Sequence, residues 1–186
     1  VAKAMSRKNR DLAALGVVGA CGDMQDSRSN GLLGMNASIL LNDGIEEGVL
    51  EVKTDLRLYG RISRPLAQYL MFSTSPILPE LTANKDNCMR FLENLGIELQ
   101  QRDGKWRSYE DLNPDEKKVL STGLVMHLHE HNTPEWKLKE LIGEVYTLTR
   151  EDRYSPLRDA KEFSTVLNSC GRNGRSDVGF QVCMGD

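Results

Sequence analysis

The sequence predicts an α/β fold of the mixed α+β kind, in which helices outweigh a small amount of strand. Three observations carry that expectation. The stretch VLEVKTDLRLYG, Val49 to Gly60, alternates without a fault. Leu50, Val52, Thr54, Leu56 and Leu58 face one way while Glu51, Lys53, Asp55 and Arg57 face the other, the pattern of a strand with one wet face. Two helix starts are spelled out further on, at Asn113-Pro114 with Glu116 and at Thr133-Pro134. Between Asp11 and Met24 the chain is apolar on nearly every side, as a helix buried in a larger body would be.

The 186 residues suit one domain or two small ones. With 39 % hydrophobic and 27 % charged residues and a net charge of −3, the chain has a globular composition. No global basic field draws it to nucleic acid, so such a contact needs a local patch. Cys21, Cys88, Cys170 and Cys183 are scattered without a CxxC pair, which excludes a zinc ribbon or disulfide framework and suits reduced thiols. Neither a signal-peptide pattern nor an apolar run of about 18 residues is read, so a cytoplasmic location and no membrane partner are expected. The chain begins at Val1 in what reads as the tail of a helix already under way. It ends in VGFQVCMGD, which reads as a strand stopping mid-fold, so a piece of a longer protein is expected.

In order along the chain, Asp11 is placed to cap the first helix. Gly16, Gly19 and Gly22 repeat at spacing three on it. Each glycine costs about 1 kcal/mol of helix propensity against alanine, so close approach of a neighbour is expected there. Asn30 to Asn42 predicts a second helix with Met35, Ile39, Leu32 and Leu40 as its apolar stripe, stopped by the Asn42-Asp43-Gly44 turn. After the strand, Pro65, Pro76 and Pro79 bracket a short helix near Leu66 to Phe72. Cys88, Phe91, Leu92 and Leu95 lie at helical spacing, closed by Gly96. Asp103-Gly104 between two short runs predicts a hairpin. Asn113 as cap, Pro114 at the first helical position and Glu116 reaching back predict a helix to about Glu130. Thr133 and Pro134 start another, with Leu138, Leu141, Ile142 and Val145 as its stripe. Leu157, Ala160, Phe163 and Leu167 mark a final helix, followed by a loop rich in glycine and arginine.

Two constellations can carry chemistry. In VVGACGDMQD the packed helix ends at Gly22 and presents Asp23, either as an ordinary helix end or as a metal ligand delivered by rigid packing. Asp26 reads as solvated. In LNSCGRNGR, Arg172 is either a solvated loop arginine or a phosphate grip, since a guanidinium can hold a phosphate by two parallel hydrogen bonds. Arg57, Arg61 and Arg64 form a local basic cluster, read as a wet strand edge or as a nucleic-acid backbone contact. His127 and His131 lie four apart on a helix, a spacing that can chelate zinc, but no acid at the right spacing and no third ligand accompany them. A polar helix end is the reading, with protonated histidine suited to the dipole. Trp106 and Trp136 read as anchors in the core or on the surface.

Gly19-Ala20-Cys21-Gly22-Asp23 and Leu167-Asn168-Ser169-Cys170-Gly171-Arg172, with Asp55 to Leu70 between them, together resemble the archaeal RecJ-like single-strand exonucleases of the DHH phosphoesterase superfamily, of the GINS-associated type. The first motif is similar to the family's Gly-x-x-(Ala/Gly)-Asp, whose Asp binds a catalytic metal. The second is similar to Leu-Asn-Ala-x-Gly-Arg, with Ser169 where Ala is usual. The resemblance implies that Asp23 holds Mn²⁺ or Mg²⁺ and that Arg172, Asn168 and Gly171 contact substrate phosphate. Such hard cations take carboxylate oxygens, and two of them can activate water and neutralise a leaving oxygen. Glycines beside the arginine would let backbone N–H groups approach the same anion.

The Asp-His-His triplet and the Gly-Gly-His motif of the family occur nowhere in the chain. One carboxylate cannot hold two metals, so the piece alone is expected to be inactive, its parent being the 5′ exonuclease of single-stranded DNA or RNA in replication or repair. The implied organisation is the C-terminal part of a DHH catalytic domain over 1–60, a mainly helical insertion over 61–155, and a linker helix with the start of a DHHA1-type partner domain over 156–186. The resemblance also implies that the insertion docks on the GINS complex. The alternative expectation is therefore an interaction module with little or no catalysis. A small-molecule phosphoesterase acting on oligonucleotides or cyclic dinucleotides is the third, disfavoured by so large an insertion.

Overall fold

The computed structural model describes residues 5–27 and 29–185, with the side chains of Arg7 and Ile39 outside the description. The helical reading of residues 1–4 and the stripe position expected of Ile39 lie outside the described residues. The fold is mixed α+β, and it divides into two compact units, residues 1–54 with 144–186 and residues 55–143. The chain passes from the first unit to the second within one strand and returns within another.

In the first unit a 3₁₀ stretch, Arg7–Leu12, is capped by Ser6, whose hydroxyl accepts the Lys8 N–H at 3.2 Å. It leads into α1, Ala13–Gly22. Asp11 was expected to cap α1. Its carboxylate instead accepts the neighbouring Leu12 N–H at 3.0 Å and pairs with Arg150 at 3.5 Å. Val17 and Val18 on α1 are fully buried. They pack in one core with Leu32, Leu41, Val49, Leu50, Tyr146, Leu148 and Phe163. The glycine spacing has a steric basis at one position of three, Gly16, while Gly22 lies at ordinary contact distance of its neighbours. A Cβ on Gly16 would lie 2.8 Å from Leu40 Cδ2, and one on Gly22 would lie 3.4 Å from Ser164 Cβ. A Cβ on Gly19 would meet nothing.

The helix expected over Asn30 to Asn42 is shorter and differently wound. A π-helical turn, Asn36–Leu41, runs into α2, Asn42–Glu46. Asn42-Asp43-Gly44 is therefore helix and not a stop. Asp43 is buried against Arg10 at 3.1 Å, and Gly44 lies so close to Leu50 that a Cβ would come within 2.4 Å of its Cδ1. β1, Leu50–Leu56, starts where the alternation predicts but ends short of Gly60, and the expected faces fail at its end: Thr54 is exposed, Asp55 half-buried and Arg57 buried. Its antiparallel partner is β2, Ile142–Leu148, with Thr149 N–H donating to Val49 O at 3.2 Å and Arg57 N–H to Leu141 O at 2.9 Å.

β2 corrects the expectation of a helix through Val145. That helix, α6 (below), ends at Leu141. Beyond it Ile142, Val145, Tyr146 and Thr147 are β-branched or aromatic and suit a pleated surface, and β1 offers an edge whose N–H and C=O groups need partners.

The second unit holds α3, Leu66–Met71, α4, Lys85–Asn94, α5, Pro114–Glu130, and α6, Glu135–Leu141. Asn84 caps α4 by accepting the Asn87 N–H at 3.0 Å, and Gly96 beyond it takes φ +72°. The box at α5 forms as spelled. Asn113 Oδ1 accepts the Glu116 N–H and Glu116 Oε2 accepts the Asn113 N–H, both at 2.9 Å. The Asp103-Gly104 turn joins strands only one bridge long, Gln100 to Trp106. The core comprises Leu56, Leu58, Leu66, Tyr69, Leu70, Leu78, Leu92, Tyr109, Leu120, Leu124, Leu128 and Leu141.

The chain returns to the first unit for α7, Ala160–Arg172, and α8, Ser176–Met184. α7 is capped by Asp159, which accepts the Lys161 and Glu162 N–H groups at 3.0 Å each. α8 replaces the terminal strand expected of VGFQVCMGD. Val178, Gly179, Val182 and Cys183 are the residues turned inward, a helical period and not an alternating one. Gly179 brings α8 against α7, since a Cβ there would lie 3.3 Å from Cys170 Cβ.

Candidate functional site at the end of helix α1

α1 ends in a tight reversal. Asp23 N–H donates to Gly19 O at 3.1 Å, Met24 N–H to Cys21 O at 3.0 Å and Gln25 N–H to Ala20 O at 3.0 Å. Met24 takes the left-handed conformation, φ 57°, so the last carbonyls of α1 are satisfied in the Schellman manner without glycine. Asp23 sits at the cap position with an exposed side chain. An acid at a helix C-terminus faces the negative end of the dipole, so nothing in the helix itself favours it there.

The two motifs expected to share a site meet through Gly22. A Cβ on Gly22 would lie 3.4 Å from Ser164 Cβ and 3.6 Å from Asn168 Nδ2, so the end of α1 rests on the middle of α7. Asn168, Gly171 and Arg172 are exposed on the last turns of α7. Arg172 is helical and not in a loop, and it follows Asn168 by four residues on the same face. Gly171 also lies within α7, where its N–H belongs to the helix ladder. Its expected backbone contact with phosphate therefore has no free amide, and a Cβ there would meet nothing beyond its own helix and chain neighbours within 4 Å.

Asp26, expected to be solvated, is 1 % exposed and pairs with Lys161 Nζ at 3.1 Å. Nothing in the local sequence signalled this, because the partner comes from α7. Among the described residues no group of three or more His, Cys, Asp or Glu is gathered as for a metal. Asp23 fits Mn²⁺ or Mg²⁺ as a single hard oxygen donor open to solvent, and Asp26 is turned to Lys161.

The basic cluster of the second unit is corrected. Arg57 and Arg61 are buried. Arg61 donates to Leu56 O at 2.6 Å and to Asp55 Oδ2 at 2.7 Å, and its guanidinium lies 4.5 Å from the Tyr109 ring centre. Tyr109 donates its hydroxyl to Asp55 Oδ1. Burial pushes the Asp55 carboxyl up, but the charge and hydrogen bond of Arg61, with those of Tyr109 and the Leu56 N–H, outweigh it and hold the group below its ordinary value. Burial pushes the Tyr109 hydroxyl far up. Arg61 is held in this internal brace and Arg57 is buried, so the two do not form the wet strand edge read from the sequence. Arg64 lies over Tyr59 at 4.6 Å and Phe72 at 5.0 Å.

His127 contacts Pro79 O at 2.7 Å, and His131 contacts His127 O at 2.8 Å at the end of α5. Trp106 and Trp136 are both exposed.

Residues 58–142, the span of the second unit within a few residues, match the DHH-CID domain. The match supports kinship with the DHH superfamily. Over 176 residues it is 27 % identical to an uncharacterized protein of Methanocaldococcus jannaschii, covering 95 % of this chain and 35 % of that protein. The chain therefore spans about a third of the length of the curated relative it matches. No described helix is long and apolar enough to cross a membrane.

Proposed function

We propose that the chain is part of a RecJ-like nuclease that hydrolyses single-stranded DNA or RNA from the 5′ end with the help of Mn²⁺ or Mg²⁺. The observation that supports this reading is the seating of the Asp23 end of α1 against Asn168 of α7, inside a chain that matches the DHH-CID domain over residues 58–142. A divalent ion bound there would polarise a phosphate oxygen and lower the pKa of a bound water. Asp23 supplies one anionic oxygen on a rigid helix end. Asn168 and Arg172 supply hydrogen-bond donors along one face of α7, the guanidinium able to take a phosphate by two parallel bonds. The remaining ligands come from other parts of the whole protein. The test is turnover of a 5′-labelled single strand by the full-length protein. Asp23→Ala should abolish it with folding retained, and unchanged turnover would overturn the reading.

A second reading is that the second unit docks a replication partner, the GINS complex. Its support is a set of large apolar side chains left exposed on that unit, among them Trp136 at 61 %, Met126 at 57 %, Ile77 at 57 % and Phe72 at 49 %. Isolated apolar residues are ordinary on a surface, so the discriminating measurement is calorimetric titration of the chain against GINS. Measurable heat, diminished by Trp136→Ala, is the expected result, and absence of binding removes this reading.

A further inference from the structure

We propose that Asp26 is a positioning residue for Asp23, acting through its buried pair with Lys161. The two acids share one turn. Beyond the left-handed Met24, Ser27 N–H donates back to Met24 O at 3.2 Å, so the chain from Asp23 to Ser27 is a single compact reversal. Asp23 projects from it into solvent and Asp26 projects inward, 1 % exposed, to Lys161 at 3.1 Å. A carboxylate so buried is tolerated only with a charged partner close by, and Lys161 reaches it with a side chain still about a third exposed.

The partner's place on α7 gives the pair its meaning. Lys161, Ser164, Asn168 and Arg172 follow one another at spacings of three and four, so they form one stripe along α7. The first holds Asp26, and the next two meet Gly22. The turn carrying Asp23 is thus fastened on one side by the packing of Gly22 and on the other by Asp26. Arg172 stands further along the same stripe. Without the Asp26 anchor, Asp23 would keep its place at the end of α1 but lose the fixed register of its turn against α7. A metal ligand needs its oxygens held to a fraction of an ångström. The consequence for metal binding rests on the reading of Asp23 as a ligand; the anchoring itself does not.

The experiment has two arms. In the first, amide hydrogen exchange of the chain is compared between native protein and the variants Asp26→Ala, Lys161→Met and Lys161→Arg. Exchange at Gln25 and Ser27 should quicken by about tenfold or more in Asp26→Ala and Lys161→Met, and stay near native in Lys161→Arg, which keeps the charge. Protection in the interior of α1 and α7 should persist in all three. Unchanged exchange at the turn, or equal quickening throughout α1 and α7, would overturn the anchor. In the second arm, the full-length protein is titrated with Mn²⁺ alone, followed by the loss of its free-ion electron paramagnetic resonance signal. Asp26→Ala and Lys161→Met should weaken binding without abolishing it, and Lys161→Arg should leave it near native. If Asp23→Ala leaves Mn²⁺ binding untouched while the exchange result stands, the metal reading fails and the anchor survives. If Asp23→Ala abolishes binding and Asp26→Ala changes neither readout, the anchor fails alone.

Discussion

Three glycines on one helix at one spacing should respond to alanine in three different ways, and the difference follows from what each faces. Gly19 faces open space, so Gly19→Ala gains the helix propensity of alanine, about 1 kcal/mol, with nothing to offset it. Gly22 would set a methyl 3.4 Å from Ser164 Cβ and 3.6 Å from Asn168 Nδ2, at the near edge of ordinary contact. Its place at the last turn also reduces the propensity gain, so Gly22→Ala should be close to neutral. Gly16 would set its methyl 2.8 Å from Leu40 Cδ2 and 3.2 Å from Leu40 Cδ1. Leu40 must turn away inside a packed core, an overpacking penalty of about 1–3 kcal/mol. Set against the same propensity gain, Gly16→Ala should destabilise by about 0–2 kcal/mol. Urea denaturation followed by far-ultraviolet circular dichroism reads this directly. With a slope of about 1–3 kcal/mol per molar for a small protein, Gly19→Ala should raise the midpoint by about 0.3–1 M and Gly16→Ala should lower it or leave it in place. Gly16→Ala stabilising as much as Gly19→Ala would refute the packing of α1 on the π-helical turn.

Other outcomes follow from the charged braces. The Asp55 carboxyl sits below its ordinary value of 3.8 in the fold, so the folded state favours its ionised form. Its contribution is fully present above that ordinary value and is lost as pH falls through the lower folded value. Asp55→Asn should flatten this acid limb of a thermal-stability profile, and an unchanged limb would show that the brace with Arg61 and Tyr109 carries no such linkage. Glu116 accepts Arg107 through both oxygens, at 2.8 and 2.6 Å, and closes the box on Asn113. Glu116→Ala removes the pair and one cap bond together and should cost about 1–3 kcal/mol by chemical denaturation.

What could be read from the sequence was local. α1, α3, α4 and α5 announce themselves by apolar runs, prolines, glycine or caps and form within a few residues of where those signals place them, whereas β1 starts on time and stops at Leu56, short of the Gly60 to which the alternation was read. The Asn113–Glu116 box is complete in four residues, so no tertiary contact was needed to foresee it. β2 was missed because Leu138, Leu141, Ile142 and Val145 satisfy a helical stripe while Ile142 to Leu148 also suits a strand. The available edge of β1 decides between them. α8 was missed because VGFQVCMGD was read as a strand, and the close seating of Gly179 against Cys170 of α7 cannot be seen locally. Gly44 was read as a stop because the nearness of Leu50 cannot be seen locally.

The candidate site divides in the same way. Asp23, Asn168 and Arg172 are visible as motif residues, each on its own. The approach of Gly22, the neighbour of Asp23, to Asn168 is a property of α1 packing on α7, and the burial of Asp26 depends on Lys161, far along the chain. Arg57 and Arg61 show the reverse error. A basic cluster in sequence became an internal brace once Asp55 and Tyr109 closed on Arg61.

The central claim is that Asp23, held at a rigid helix end against α7, contributes an oxygen to a catalytic divalent ion. Titration of Mn²⁺ into the full-length protein, native and Asp23→Asn, tests it most directly. The account predicts at least about tenfold weaker binding in the variant, in line with the loss of a ligand and not only of a supporting contact, with an unchanged circular dichroism spectrum. Equal Mn²⁺ affinity in the two proteins would contradict it.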